Sequence, residues 1–326
     1  MNWLSNDAVD RLRDVATRPE LPGDRYVILR PLGRGGMGRV YVARDNVLDR
    51  EVALKVSNAP RASTALDERL EQEARVLAAL EHPGIVPVHD SGVLDDGRVF
   101  YVMKLVRGRT LTEHAADLTS EAARLAVFER VTDAVAFAHA AGVVHRDLKP
   151  ANVMVGAFGE VLVLDWGVAR RLDRSSDAEP AGTRLGTVGF MAPEQARGEA
   201  GAAGPPADVF SLGALLLWLF GVDSDGALVD PDGAPGLQTR GGATALPRRL
   251  RAIATKCLAM SPADRYPDAA GLAADLARYR QGVPVSAHRE SALERAWHWV
   301  VRHQAVILLV LAYLVMRALF AFARRP

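Results

Sequence analysis

The densest cluster of chemically capable side chains in this sequence is HRDLKPANVMV, residues 145–155. There His145, Arg146, Asp147, Lys149 and Asn152 share one loop after an apolar helical pattern. Asp147 can orient and deprotonate an incoming hydroxyl, because a carboxylate in hydrogen-bond reach of an O–H is a general base. Lys149 can neutralise phosphate charge, and Asn152 offers an oxygen to a metal. A polar surface loop would rarely carry all of these types in this order. Asp165 follows at the end of the apolar run VLVLDWG. A carboxylate capping a strand beside that loop is placed to hold a hard cation such as Mg²⁺ against phosphates.

Upstream, LGRGGMGRV sets Gly33, Gly35 and Gly38 between two strand-like runs. Glycine lets the backbone turn sharply and approach phosphates closely. By itself the pattern also suits a plain hairpin or a dinucleotide-binding turn. The dinucleotide turn leads from a strand into a helix, whereas this one leads into another strand, RVYVA, which favours a flap over a nucleotide. Lys55 lies in VALKV, flanked by apolar residues. An isolated lysine there would snorkel to solvent. Glu73 shares a helix face with Leu70 and Leu77, and a carboxylate on a core-facing stripe needs a partner, which Lys55 can supply.

These groups must be positioned by two kinds of architecture. From Tyr26 the chain reads as strands, YVILRPLG, RVYVARD and EVALKVS, then a helix over 66–80, then the strand VFYVMKLV. After Gly108 the pattern is mostly helical, with a long helix over 121–141 ending at Gly142. Two short strands, VMVG and EVLVLDW, follow, and then a loop- and charge-rich stretch over 168–190. A buried helix is predicted over 208–220, a long Gly/Pro/Asp-rich loop over 221–246, and helices over 248–259 and 268–280. The 326 residues are 49% hydrophobic and 24% charged, ordinary for a globular chain. A net charge of +1 gives no bulk electrostatic case for nucleic acid as a partner. The single cysteine, Cys257, excludes an internal disulfide. Residues 1–18 mix Asp and Arg with apolar residues and do not read as a signal peptide.

Taken together, the motifs resemble the Hanks-type serine/threonine protein kinases, over about residues 26–279 and in the family's order. GGMGRVY, HPGIV and APEQ are similar to the bacterial branch, and Lys149 in HRDLKPAN with GTVGFMAPE to the serine/threonine pattern. The resemblance implies an α+β bilobal fold. A β-rich N-lobe would occupy 25–107 and a helical C-lobe 108–282, after an N-terminal extension over 1–24. It implies transfer of the γ-phosphoryl group of ATP to protein Ser/Thr hydroxyls, with Mg²⁺ as cofactor and Mn²⁺ as a substitute. Residue by residue, Gly33, Gly35 and Gly38 would cover the phosphates, with Leu32 and Gly36 beside them in the ATP site. Lys55 would bind the α/β-phosphates and pair with Glu73. Asp147 would be the catalytic base and Lys149 would stabilise the transferring group. Asn152 and Asp165 would bind metal. Val40, Ala53 and Met154 would sandwich adenine, with Met103 as gatekeeper and residues 104–106 as hinge. Thr187 would help fix the acceptor hydroxyl, Glu194 would pair with Arg265, and Asp208 would brace the catalytic loop. Arg146 would receive a phosphorylated activation segment, with Thr183 the first-ranked site ahead of Ser175 and Ser176. A second copy of the chain, in a dimer, would allow phosphorylation in trans.

Three departures stand out. DWG replaces the family's usual DFG, and Trp166 is expected to pack under the helix carrying Glu73. Lys104 stands where the hinge commonly has an acid. The 221–246 stretch is unlike a tidy substrate platform. The alternative is a pseudokinase-like scaffold or ATP-dependent interaction module. The presence of Lys55, Asp147 and Asp165 weighs against it, and the complete segment from Asp165 to Glu194 weighs against a small-molecule phosphotransferase.

The C-terminus differs from the rest. Over 305–323 only Arg317 is charged, and as a helix the stretch is about 28 Å long, near the thickness of a bilayer core. Trp297 and Trp299, with Arg289, Arg295 and Arg302, precede it on the kinase side. The reading is a linker over 283–303 and a single membrane span over 304–323, with the kinase on the cytoplasmic side. Arg317 and the terminal Arg324 and Arg325 act against it.

Overall fold

A computed structural model of the chain describes residues 19–34, 38–58, 64–166, 169–171, 189–198, 204–221 and 246–288, with the single positions 309, 313 and 316. The first lobe is a five-stranded antiparallel sheet in the order β1-β2-β3-β5-β4. Its strands are β1 (Tyr26–Arg34), β2 (Gly38–Asp45), β3 (Arg50–Ser57), β4 (Val88–Val93) and β5 (Val99–Lys104). Helix α1 (Thr64–Ala78) packs on one face. The period-2 alternation of β3 and β5 decides which side chain meets which layer. Leu54, Val56, Phe100 and Val102 join Tyr26, Ile28, Tyr41 and Ala43 in one cluster, while Val99 and Tyr101 turn toward Leu70 and Leu77 of α1. Lys55, between Leu54 and Val56, is thereby delivered to the α1 side.

The second lobe begins with β6 (Gly108–Thr110) and a capped single turn, α2 (Leu111–His114), and continues into α3 (Glu121–Ala140). Ser120 caps α3 by accepting from the Ala123 N–H, and Gly142, at φ 73°, takes the left-handed conformation just beyond its end. Next come β7 (Val143–Val144), β8 (Val153–Gly156), β9 (Val161–Val163) and β10 (Arg170–Arg171). β6, β8 and β9 form one small sheet, and β10 pairs with β7. α4 (Pro193–Ala196), α5 (Pro205–Leu219), α6 (Arg248–Cys257) and α7 (Ala269–Arg280) complete the lobe. α5 is apolar on nearly every side apart from Asp208 and is buried accordingly, as such a helix is in the core of a domain. Gly213 lets it approach α6, where a Cβ would sit 2.5 Å from that of Cys257.

The predicted elements appear within a few residues of their expected bounds, with three differences. β4, sequence VHDSGV, is not visible as a strand in the sequence. Asp, Ser and Gly are poor strand formers, and the strand exists because it pairs along β5 and because Asp90 accepts from Tyr26 Oη at 2.9 Å and Arg25 Nη1 at 2.8 Å. The folded C-lobe also runs past 282. Val285 is buried in the main core, and the Asp275 carboxylate accepts from Ser286 N, Ser286 Oγ, Ala287 N and Tyr266 Oη at 2.7–3.1 Å. The first residues assigned to a linker are therefore docked on α7.

The third difference concerns the expected apolar C-terminal helix. Most of the 304–323 stretch lies outside the described residues. Leu309, Tyr313 and Met316 are helical and exposed, and no helix among the described residues is long and apolar enough to cross a membrane. Gly35, Gly36, Ser175, Ser176, Thr183, Thr187, most of residues 1–24 and most of the 221–246 loop also lie outside the described residues.

Arg265 and Glu194 tie α4 to the C-terminal helices. Arg265 Nη1 and Nη2 donate to the two Glu194 oxygens at 2.7 and 2.8 Å, and the remaining donors reach the carbonyls of Ala259, Pro206 and Met260. Both side chains are buried. Removing one partner strands the other charge, so Arg265→Ala should cost about 3–5 kcal/mol. Arg265→Lys, which keeps the charge and loses the two-pronged geometry, should recover only part of it. Denaturant unfolding of both variants measures this, and a loss under about 1 kcal/mol in Arg265→Ala would contradict it.

Candidate active site

The site forms where the sheet lobe meets the loop that follows β7. Lys55 Nζ, nearly buried on β3, donates to both Glu73 oxygens at 2.8 Å and to Asp165 Oδ1 at 3.1 Å. Tyr101 on β5 adds its hydroxyl to Glu73 Oε1 at 3.0 Å. Burial alone would push the Lys55 ammonium down; the carboxylates of Glu73 and Asp165 more than offset it and hold it above its ordinary range. Burial raises Glu73, against the pull of Lys55. Asp165 is a half-exposed carboxylate, its side chain 51% accessible. There the Lys55 charge and hydrogen bond outweigh burial and keep it below the usual carboxylate range. The site thus holds a lysine that stays charged, a sequestered glutamate and an ionised aspartate facing solvent.

The loop over 145–152 is held by three different polar devices. Asp208, fully buried at the start of α5, accepts from the backbone N–H of His145 and of Arg146, both at 2.7 Å, and from His139 Nε2 at 2.9 Å. His139 Nδ1 accepts from Ala269 N at 3.1 Å, which puts the imidazole hydrogen on Nε2. Burial would raise Asp208, and the His139 contact and these N–H groups hold it below the usual range. His145 works the same way: Nδ1 accepts from Asp147 N at 3.2 Å, so Nε2–H donates to Leu164 O at 3.0 Å. One imidazole therefore spaces Asp147 from the residue before Asp165. Asp147 Oδ2 accepts from Lys149 Nζ at 2.7 Å and from Asn152 Nδ2 at 3.2 Å, and Asn152 Nδ2 also reaches Asp147 O at 2.8 Å.

Backbone strain concentrates here. Asp49, Arg146 and Asp165 are the non-glycine residues with positive φ among those described, and two of them flank the site, at 71° and 57°. Such conformations cost on the order of 1–3 kcal/mol each and persist only where surrounding bonds fix them. Trp166, after Asp165, is buried. Its ring lies 4.6 Å from that of His145, in the cluster that includes Leu70 and Leu77 of α1. Its indole N–H meets Val163 O at 3.4 Å, a bond that phenylalanine could not make.

The other expected ATP-site residues lie on strands of both lobes. Val40 pairs across the sheet with Lys55, and Ala53 with Met103, while Met154 lies on β8 and Leu32 is exposed on β1. Gly38 begins β2 where a Cβ would lie 2.5 Å from Val56 O, so strand packing alone demands glycine there. Gly33 pairs with Val40. Four contributors were not picked out from the sequence: Tyr101, His139, Ser211, whose Oγ donates to Phe190 O at 2.7 Å, and Gln195, whose amide meets Arg146 O at 3.0 Å. The bonds named here join residues remote in the chain; only the second bond of Gln195, in which its Oε1 accepts from Ala192 N three residues back, is local.

The donors present suit Mg²⁺ carried in with phosphates. Asn152 spends its amide nitrogen on Asp147, which leaves its amide oxygen, and Asp165 presents a carboxylate to solvent. Among the described residues no three or more His, Cys, Asp or Glu side chains converge into a metal cage. Mg²⁺ is held by one or two carboxylates plus substrate phosphates and water, so this sparse oxygen set fits it.

Comparison with known proteins agrees with this geometry. Residues 26–223 match the protein kinase domain family. The chain is 36% identical over 290 residues to serine/threonine-protein kinase PknB of Mycobacterium leprae, covering 83% of this chain and 45% of that one. It is 37% identical over 291 residues to PknB of Mycobacterium tuberculosis, with the same coverage. It is 31% identical over 310 residues to serine/threonine-protein kinase PknD of Protochlamydia amoebophila, covering 83% of this chain and 31% of that one. The chain thus spans less than half the length of these relatives. With the match running over more than half of its length, the chain belongs to the protein kinase domain family.

Proposed function

We propose that this protein is a serine/threonine kinase that transfers the γ-phosphoryl group of ATP to protein hydroxyls. One observation carries the reading: Lys55 is clamped between Glu73 and Asp165, its charge secured, across from the Asp147–Lys149–Asn152 loop. Lys55 orients the α- and β-phosphates, and Glu73 with Tyr101 holds the ammonium in place. Asp147 aligns the acceptor Ser or Thr and takes its proton as the oxygen bonds to the γ-phosphorus. The bond from that phosphorus to the ADP oxygen breaks. Lys149 offsets charge on the transferring group. Asn152 and Asp165 would hold Mg²⁺, which when bound neutralises phosphate charge. Val40, Ala53 and Met154 enclose adenine, and Met103 sets the depth of that pocket. The relatives' names as serine/threonine-protein kinases support the same acceptor class.

Positioning and charge stabilisation act jointly in such a site, so single losses are large. Lys55→Met, Asp147→Asn and Asp165→Asn should each lower kcat/KM for a protein substrate by about two orders of magnitude or more. The readout is labelled phosphate transfer in Mg²⁺, and full activity in Asp147→Asn would remove it as the base.

The activation segment carries the proposed regulation. A phosphate on Thr183, or on Ser175 or Ser176, would add a charge that Arg146 can pair. Mass spectrometry of the active protein should find phosphate in 172–188 and none in Asp147→Asn. If a second copy supplies it, incorporation per chain rises with protein concentration. Unmodified yet fully active protein would count against this regulation.

The 305–323 stretch is read as a single-pass anchor that keeps the kinase on the cytoplasmic face. Ten or more Leu, Ile, Val and Phe residues, at roughly −0.3 to −0.6 kcal/mol each, offset a cost of about 2.5–3.5 kcal/mol for Arg317 at mid-bilayer, less if it snorkels. Leu309, Tyr313 and Met316 are helical and exposed, which supports a helix with apolar side chains open to lipid at these three positions. Full-length protein should stay with membranes through high-salt and carbonate washes. A chain ending at His288, which retains the Ser286–Asp275 contacts, should be soluble and active. Monomeric full-length protein in buffer without detergent would overturn the anchor.

A further inference from the structure

We propose that Gln195 is a positioning residue for phosphoryl transfer: its side-chain amide couples the end of the activation segment to the loop that carries Asp147. The inference rests on the kinase reading for its kinetic part only. Gln195 is buried on α4, and its two amide atoms face two different loops. Nε2 donates to Arg146 O at 3.0 Å, and Oε1 accepts from Ala192 N at 3.2 Å. Neither atom touches a group assigned to substrate or metal.

The bond to Arg146 matters because of where it falls. Arg146 immediately precedes Asp147 and sits at φ 71°, a left-handed backbone on a residue with a long side chain. Its N–H is taken by Asp208 Oδ1 at 2.7 Å, and the next N–H, that of Asp147, by His145 Nδ1 at 3.2 Å. The carbonyl between them is the third polar group of this strained unit, and Gln195 is what meets it. A peptide in this region stays put only when its surroundings over-determine it. Without the Gln195 donor the Arg146–Asp147 peptide can rotate, and the Asp147 carboxylate moves with it.

The bond to Ala192 gives the device its direction. Ala192 N–H belongs to the segment entering α4, and two residues earlier the Phe190 carbonyl is held by Ser211 Oγ of α5 at 2.7 Å. The end of the activation segment and the catalytic loop therefore share one amide. When residues 189–195 take this arrangement, the donor reaches Arg146; when they do not, the donor leaves with them.

The chemistry of glutamine permits a clean test on the full-length chain in detergent. Gln195→Glu keeps the acceptor for Ala192 N–H and loses the donor to Arg146 O. Gln195→Met is close in volume, loses both bonds and buries no charge. A displacement of about 1 Å in a catalytic group costs on the order of 100-fold. Both variants should therefore lose about 10- to 100-fold in kcat, while KM for ATP stays within about twofold, because the Lys55–Glu73–Asp165 cluster is untouched. A purely structural role would instead lower Tm and the active fraction without this split between kcat and KM. Amide hydrogen exchange at residues 145–148 supplies a readout independent of turnover, and it should quicken in both variants relative to residues 153–156. Retained kcat with unchanged exchange in folded Gln195→Met overturns the proposal, whatever happens to Gln195→Glu. If the unaltered protein transfers no phosphate, the kinase reading fails separately. The exchange result then decides alone, faster exchange supporting the coupling and unchanged exchange refuting it.

Discussion

Much of the second lobe hangs on one buried carboxylate. Asp208 is fully buried, and it is met by His139 Nε2–H and by the backbone N–H groups of His145 and Arg146. Burying an ionised carboxylate is expensive unless its oxygens are hydrogen-bonded. The fold therefore has to bring α3, α5 and the 145–146 loop to one point. His139 extends the requirement, because its other nitrogen accepts the first free N–H of α7 at Ala269. A single polar chain thus sets the mutual placement of three helices and the loop that holds Asp147, inside a largely apolar core. A hydrophobic residue at 208 would satisfy packing and leave two loop N–H groups unpaired at the site itself.

A second buried charge joins the two lobes. Lys55 comes from the sheet, Glu73 from α1 and Asp165 from the strand-end of the other lobe, and the three meet at hydrogen-bond distance. An arrangement of this kind contributes little net stability, because desolvation offsets most of the attraction. Its effect is conformational. Moving α1 away separates Glu73 from Lys55, and moving Asp165 away removes the second carboxylate on the lysine, so contact among all three is favoured. Trp166 acts in the same sense, filling the space between His145 and the α1 side of the core and capping Val163 O with its indole N–H.

The backbone is strained at Arg146 in the 145–152 loop and at Asp165 beyond β9, and several of the groups that hold it come from outside the loop. Asp208, His145 and Gln195 each take a backbone group of the loop or its flanks. Fixing the peptide in this way places the loop backbone independently of the Asp147 and Lys149 side chains. It also explains why α4, a single turn, is so heavily anchored. Glu194 is held by Arg265, and Gln195 faces the loop from the next position.

The sequence by itself determined the polar 145–152 loop, the Lys55–Glu73 partnership and the division into a sheet lobe and a helical lobe, while the Asp208 and Arg265 braces were expected only from the family resemblance. The first three were legible because chemistry-bearing side chains sit in contiguous motifs, and because period-2 and helical patterns report burial locally. Only the tertiary structure decided what lies across sequence distance. β4 forms because β5 and Asp90 make a strand of a segment with poor propensity. Tyr101, His139 and Ser211, and the Gln195 amide nitrogen at Arg146 O, acquire partners that no spacing rule predicts. The C-lobe continues to residue 288 because Asp275 collects Ser286 and Ala287. Each of these depends on a hydrogen bond or pairing between residues remote in the chain, and such bonds are specified by the packing of whole elements, not by the residues beside them.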